Sequence, residues 1–191
     1  MDTRTALLNS AETLARSKGF DAFSYADLAE KVGIRKASIH HHFPTKADLG
    51  LELISRYREV FLVALGKIAA RDVTASVKLN AYLALYRSAL KGGTQVCLCV
   101  AFSAGRDSFD KGVLAELNAF HSESLTWLAA MFQEGRDDMS ISGIEDPLSE
   151  ARACLALVEG AQLMARAAKD ISRFDEAVSL LRNRAGLNTY S

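Results

Sequence analysis

An all-α fold is predicted by three observations. The 191 residues contain only two prolines, Pro44 and Pro147, so few positions break a helix. Apolar residues recur at three- and four-residue intervals along most of the chain. Between Ser24 and Asp48 two short helical stretches flank a glycine in the pattern of a helix-turn-helix. Together they predict about nine helices: an N-terminal three-helix head and a larger C-terminal helical domain.

The first helix is expected from Thr3 to Lys18, with Leu7, Ala11 and Leu14 on its inner face and Gly19 at its end. Phe20 and Phe23 follow and are expected to pack beneath the head. Ser24 with Asp27 forms a capping-box variant that starts the second helix, Tyr25 to Val32. Two helices that cross tightly need a small residue at the contact, and Ala29 supplies it. Gly33, four positions later, meets the turn's demand for positive φ. The third helix is expected from Arg35 to His41, stopped by Pro44. Leu28, Val32, Ile34 and Ile39 are spaced to close one small core.

Thr45 with Asp48 is a second capping pair, opening a long helix from Lys46 to Ala69. Leu79, Tyr82, Leu83, Tyr86 and Leu90 mark another helix, closed by Gly92 and Gly93. A shorter apolar segment runs from Val96 to Phe102. The next helix starts near Asp110, with Leu114, Leu117, Phe120, Leu128 and Met131 inward. A polar loop covers residues 137–147, and Asp146 caps a helix with Pro147 in its first turn that reaches Lys169. Ser172 with Asp175 is expected to cap a last helix, to Arg184. The domain boundary is drawn after Ala47: residues 1–47 form the head, and residues 48–191 the effector-binding and dimerisation domain.

The helix over Ser149 to Ala168 is unusually apolar. Its polar residues Arg152, Glu159, Gln162 and Arg166 fall close to one stripe. Its apolar face is too wide for one core. Two readings stand: a fully buried helix, or one that faces both its own core and a second subunit.

Composition narrows the function. Apolar residues are 49% and charged residues 24%, ordinary for a globule with a full core. No basic start followed by an apolar run suggests a signal peptide, and no segment is apolar for long enough to span a membrane. Three cysteines, an odd number, argue against a secreted disulfide framework and for a reducing cytoplasm. No phosphate loop, nucleophile elbow or metalloprotease motif occurs, so no enzyme and no cofactor is expected. Net charge is zero, yet Arg35, Lys36 and Lys46 flank three histidines with no acid from residue 31 to residue 47. A local basic face suffices to contact phosphates. The run His40-His41-His42 cannot converge on one metal ion, because adjacent helical positions point about 100° apart.

The motif resembles the signature of the TetR family of bacterial one-component regulators. Gly33-Ile34, Ser38-Ile39, His42-Phe43, Lys46 and Leu49 carry the resemblance, which covers residues 5 to 50. It implies a homodimer, joined through its last two helices, that binds a palindromic operator in double-stranded DNA. A small-molecule inducer in the larger domain would release it. By position, Lys36, Ala37, Ser38, His40 and His41 would face the groove, and Lys46 would meet a phosphate. Ser24 and Tyr25 would lie near the DNA backbone. Two positions depart from the family pattern. His40 stands where tyrosine is usual, and Arg35 where a small hydroxyl residue is common. Arg35 would read a guanine edge or hold a phosphate.

Effector candidates are Cys97, Cys99, Phe102, His121, Trp127 and Lys169. Cys97 follows a Gly-Gly-Thr run and is expected in the first turn of a helix, where the dipole lowers a thiol pKa. Lys169 would be a cationic neighbour. The alternatives are a reactive redox or electrophile sensor at Cys97 and plain core packing. Cys154 reads as core.

Overall fold

The computed structural model describes residues 2–186. Among them are nine α-helices and no strand. They are α1 (Thr3–Lys18), α2 (Tyr25–Val32), α3 (Lys36–His42), α4 (Lys46–Ala69), α5 (Ala75–Ala89), α6 (Leu98–Ala104), α7 (Lys111–Asp137), α8 (Pro147–Ala168) and α9 (Ser172–Arg184), with a short 3-10 turn at Arg106–Ser108.

The described residues form two compact units. The first runs up to Val60 and takes in Cys97–Phe120; the second holds Phe61–Val96 and the chain from His121 onward. The unit that contains the head thus extends past residue 47. It adds the first part of α4, all of α6 and the start of α7. The reason is packing: Phe20 meets Phe102 at 5.1 Å and Phe109 at 5.2 Å between ring centroids, so residues distant in sequence finish its core. Gly50 on α4 permits this, since a Cβ there would lie 3.1 Å from the Phe20 ring.

In the first unit Leu7, Ala11, Leu28, Ile39, Leu49 and Leu53 are fully buried. Arg56 of α4 donates to Asn9 and Glu12 of α1 at 2.9 and 2.8 Å. In the second unit the core is built from Leu79, Tyr82 and Leu83 on α5, Leu128 and Phe132 on α7, Val158 and Ala161 on α8, and Phe174 and Val178 on α9. Trp127 stacks on Tyr82 at 5.5 Å and donates its indole N–H to the Leu65 carbonyl. Gln162 is fully buried and donates to the Tyr86 carbonyl at 2.7 Å.

Several local expectations shift. α3 begins at Lys36, because Arg35 is extended (φ −76°, ψ 143°) and is its N-cap residue. An arginine has no acceptor, so this helix start carries no side-chain cap. At α9 the expected pairing of Ser172 with Asp175 does not form. Asp170 accepts from the Ser172 N–H and hydroxyl instead, at 2.9 and 2.8 Å. Asp175 is drawn to Arg87, which donates two parallel bonds at 2.8 Å. On α7 Val113 is buried and Leu114 only half-buried. On α8 the polar stripe turns partly inward, Gln162 to α5 and Glu159 to His121 of α7, which leaves Leu163 and Met164 49% and 62% exposed.

Candidate nucleic-acid interface

The head is assembled by short-range chemistry. Asp27 accepts from the Ser24 N–H and hydroxyl, both at 2.7 Å, while the Ser24 oxygen accepts from the Ala26 and Asp27 N–H groups. The Ser24 hydroxyl holds the Asp27 carboxyl below its ordinary pKa. Gly33 is left-handed (φ 77°, ψ 34°), and the N–H groups of Gly33 and Ile34 both reach the Ala29 carbonyl. That turn redirects the chain into α3. Leu28 and Ile39 are fully buried beneath the crossing, and Val32 and Ile34 half-buried at its rim.

The opposite side of α3 faces solvent. Arg35, Lys36, Ala37, Ser38, His40 and His41 are all exposed. Lys36 and His40 are one turn apart. Both line an open groove of about 580 Å³ that also takes in Asp21, Ser24, Asp27 and Lys46. His40 has a second constraint: its Nδ1 lies 3.1 Å from the Pro44 carbonyl.

Two of the expected contact residues are anchored inward. Tyr25 is buried, and its hydroxyl shares its proton between the Thr45 carbonyl at 2.6 Å and the Phe43 carbonyl at 2.9 Å. Burial, with a smaller contribution from Asp48, pushes its pKa up to about 12. The Lys46 ammonium donates to the Phe23 carbonyl at 2.6 Å and sits over the Phe20 and Phe23 rings at 4.9 and 4.8 Å. Partial burial lowers its pKa from the ordinary lysine value. The N-terminus of α4 is capped as the sequence predicts, with Asp48 accepting from the Thr45 N–H and hydroxyl.

The effector candidates divide between the units. Cys97, Cys99 and Phe102 lie in the first, wholly buried. Cys97 is the N-cap residue of α6 rather than part of its first turn. The Tyr57 hydroxyl donates to its Sγ at 3.3 Å. Tyr57 went unnoticed in the sequence, where nothing links positions 40 residues apart. Burial raises its phenol well above the ordinary range. His121, Trp127 and Lys169 belong to the second unit. His121 Nε2 faces Glu159 Oε1 at 3.3 Å, Trp127 stacks on Tyr82, and Lys169 is an exposed left-handed residue ending α8. Cys154, also in this unit, is pushed up to about 12 by burial. No disulfide joins the three thiols.

A tightly turned helix pair with an exposed second helix, carried on an otherwise helical chain, defines a DNA-binding helix-turn-helix protein. Residues 7–53 match the family described as bacterial regulatory proteins, tetR family. The chain as a whole resembles TetR-family transcriptional regulators. It is 29% identical to a TetR-family regulator from Agrobacterium tumefaciens, with a TM-score of 0.88 over 98% of both chains. A TetR regulator from Legionella pneumophila is 26% identical, with a TM-score of 0.86 over 96% of this chain and 97% of that one. Among curated relatives, the repressor NemR of Escherichia coli K12 is 23% identical over 95% of this chain and 93% of its own. The regulator CymR of Pseudomonas putida is 28% identical over 72% and 70%.

Proposed function

We propose that this protein is a homodimeric repressor that binds a palindromic operator through α3 and is released by a small-molecule inducer bound in the C-terminal domain, residues 48–191. The exposed strip from Arg35 to His41 carries the reading. Lys36, Ala37, Ser38, His40 and His41 face the major groove, with Arg35 at its edge. Ser24 and Tyr25 border the backbone. Lys46 supports that edge from within the head, through the Phe23 carbonyl. Two such strips must enter successive major grooves about 34 Å apart, which requires a dimer. Support for the dimer comes from α8 and α9, where Leu163, Met164 and Leu180 are 49%, 62% and 63% exposed. An apolar face of this kind on otherwise packed helices is what a second copy would cover.

Support for an inducer site comes from the second unit. Ser124 is fully buried on α7, yet its hydroxyl makes no hydrogen bond with any described residue. One turn earlier, His121 faces the Glu159 carboxylate. A buried polar group without a partner is costly unless a ligand or water meets it. α4 runs from the first unit into the second, which makes it the coupling element. An inducer must bind the DNA-incompetent conformation more tightly, since equal affinity shifts nothing. Catalysis forms no part of this reading, and the chain is expected to work in the cytoplasm. Among the described residues no helix is long and apolar enough to cross a membrane.

Footprinting on the promoters of its own gene and of neighbouring genes tests the proposal. A protected, roughly two-fold symmetric site is expected. No protection on any of them would count against it.

One observation favours a second input, a thiol switch: the Tyr57 hydroxyl aimed at Cys97 would stabilise a thiolate there. Cys97 is only 1% exposed, which opposes it. Release of DNA by peroxide or a quinone in the native protein, lost in Cys97→Ser, would establish the switch. Unchanged release in that variant would exclude it.

A further inference from the structure

We infer that His40 holds a DNA phosphate only when protonated, so that each subunit takes up a proton as it binds its operator. This deepens the DNA-binding reading above and rests on it. The Pro44 carbonyl can only accept a hydrogen bond, so the Nδ1 atom 3.1 Å away must carry a hydrogen. In the neutral ring Nε2 then holds a lone pair and can only accept. The ring also packs against Tyr25 in a T-shaped contact, at 4.9 Å and 64°. Tyr25 in turn is anchored by the Thr45 and Phe43 carbonyls. Nε2 is therefore the nitrogen left for an outside partner.

A phosphate oxygen is an acceptor. Neutral His40 meets it lone pair to lone pair. With one proton taken from solvent onto Nε2, the same ring meets it with an N–H and a positive charge. The charged surroundings come from four elements. Lys36 and His41 share α3, Lys46 begins α4, Asp27 lies in the first turn of α2, and Asp21 precedes that helix. Two lysines and two aspartates thus line the groove with the imidazole. Of these, Asp27 is tied to Ser24 by two bonds at 2.7 Å. An arriving phosphate adds negative charge and tips the balance towards the imidazolium. Linkage then requires proton uptake on binding and weaker binding as pH rises.

The test uses the full-length protein and a fluorescein-labelled duplex spanning the footprinted promoter segment. Anisotropy titrations at constant ionic strength would run from about pH 6 to about pH 8, where imidazoles titrate. Wild-type affinity should fall several-fold across this range. His40→Tyr and His40→Gln, which donate at every pH used, should flatten the dependence. His42→Gln, half-buried outside the groove-facing strip, should keep the wild-type slope. Calorimetry in two buffers of different ionisation enthalpy should show proton uptake by the wild type and none by His40→Tyr. A wild-type protein that binds with no pH dependence overturns this inference alone. So does a slope that survives in both His40 variants. Affinity that rises with pH overturns it in favour of a neutral Nε2 accepting from a base amine. A wild-type protein that protects no promoter at any pH overturns the operator reading as well.

Discussion

Tyr25 shows how one side chain serves the interface through its internal anchoring. Its phenol holds together the carbonyls of Phe43 and Thr45, the two residues that flank Pro44. His40 leans on its ring. Replacing it by phenylalanine keeps the ring and removes the donor. Tyr25→Phe should cost about 1 kcal/mol of stability by urea denaturation. It should also weaken operator binding, because the turn before α4 loosens. Sequence reasoning recognised Tyr25 as the first residue of α2 but could not see this anchor, whose acceptors lie 18 and 20 positions away. Arg35 makes the opposite point. Its lack of an acceptor is plain from its identity, and the uncapped start of α3 follows directly.

At the scale of elements, the head depends on one backbone conformation. Gly33 has φ 77°, and an added Cβ would meet nothing within 4 Å. The cost of Gly33→Ala is therefore conformational alone, between about 1 and about 2 kcal/mol. Gly33→Asn should cost less, since asparagine tolerates this region. Thermal melts of the two variants would check the order. α8 carries a different prediction. Met164 is exposed on the face assigned to a second subunit, and Met164→Glu should convert a dimer to a monomer in sedimentation while leaving helix content unchanged. A variant that stays dimeric would move the interface elsewhere. The span of α8 was legible because Asp146 and Pro147 mark its start. Which of its faces is inward was not, because the inward polar residues are satisfied by α5 and α7.

For the molecule as a whole, acid should be destabilising. The Arg87 guanidinium holds the Asp175 carboxyl below its ordinary value, with Arg182 adding to it. A carboxyl depressed in the folded state contributes stability above its unfolded pKa and loses it as pH falls. Melting temperature should therefore drop as pH is lowered below about 5. Arg87→Gln should lower the melting temperature at neutral pH and reduce the remaining acid dependence. Equal acid slopes in the two proteins would show that this pair carries none of it.

Helix number, the long α1 and α4 with their end points, the helix-turn-helix and the resemblance to the TetR family were all readable from residue order. Caps, turn glycines and apolar spacing act within about four positions, a distance over which chain connectivity already brings the groups together. The tertiary structure alone decided the partnerships. Arg87 with Asp175, Tyr57 with Cys97, and Phe20 with Phe102 lie 88, 40 and 82 positions apart. Each depends on how separate helices pack, and local pattern holds no record of that. The same packing put Cys97 under a phenol rather than in solvent, and fixed the tautomer of His40 through a carbonyl beyond the end of its helix.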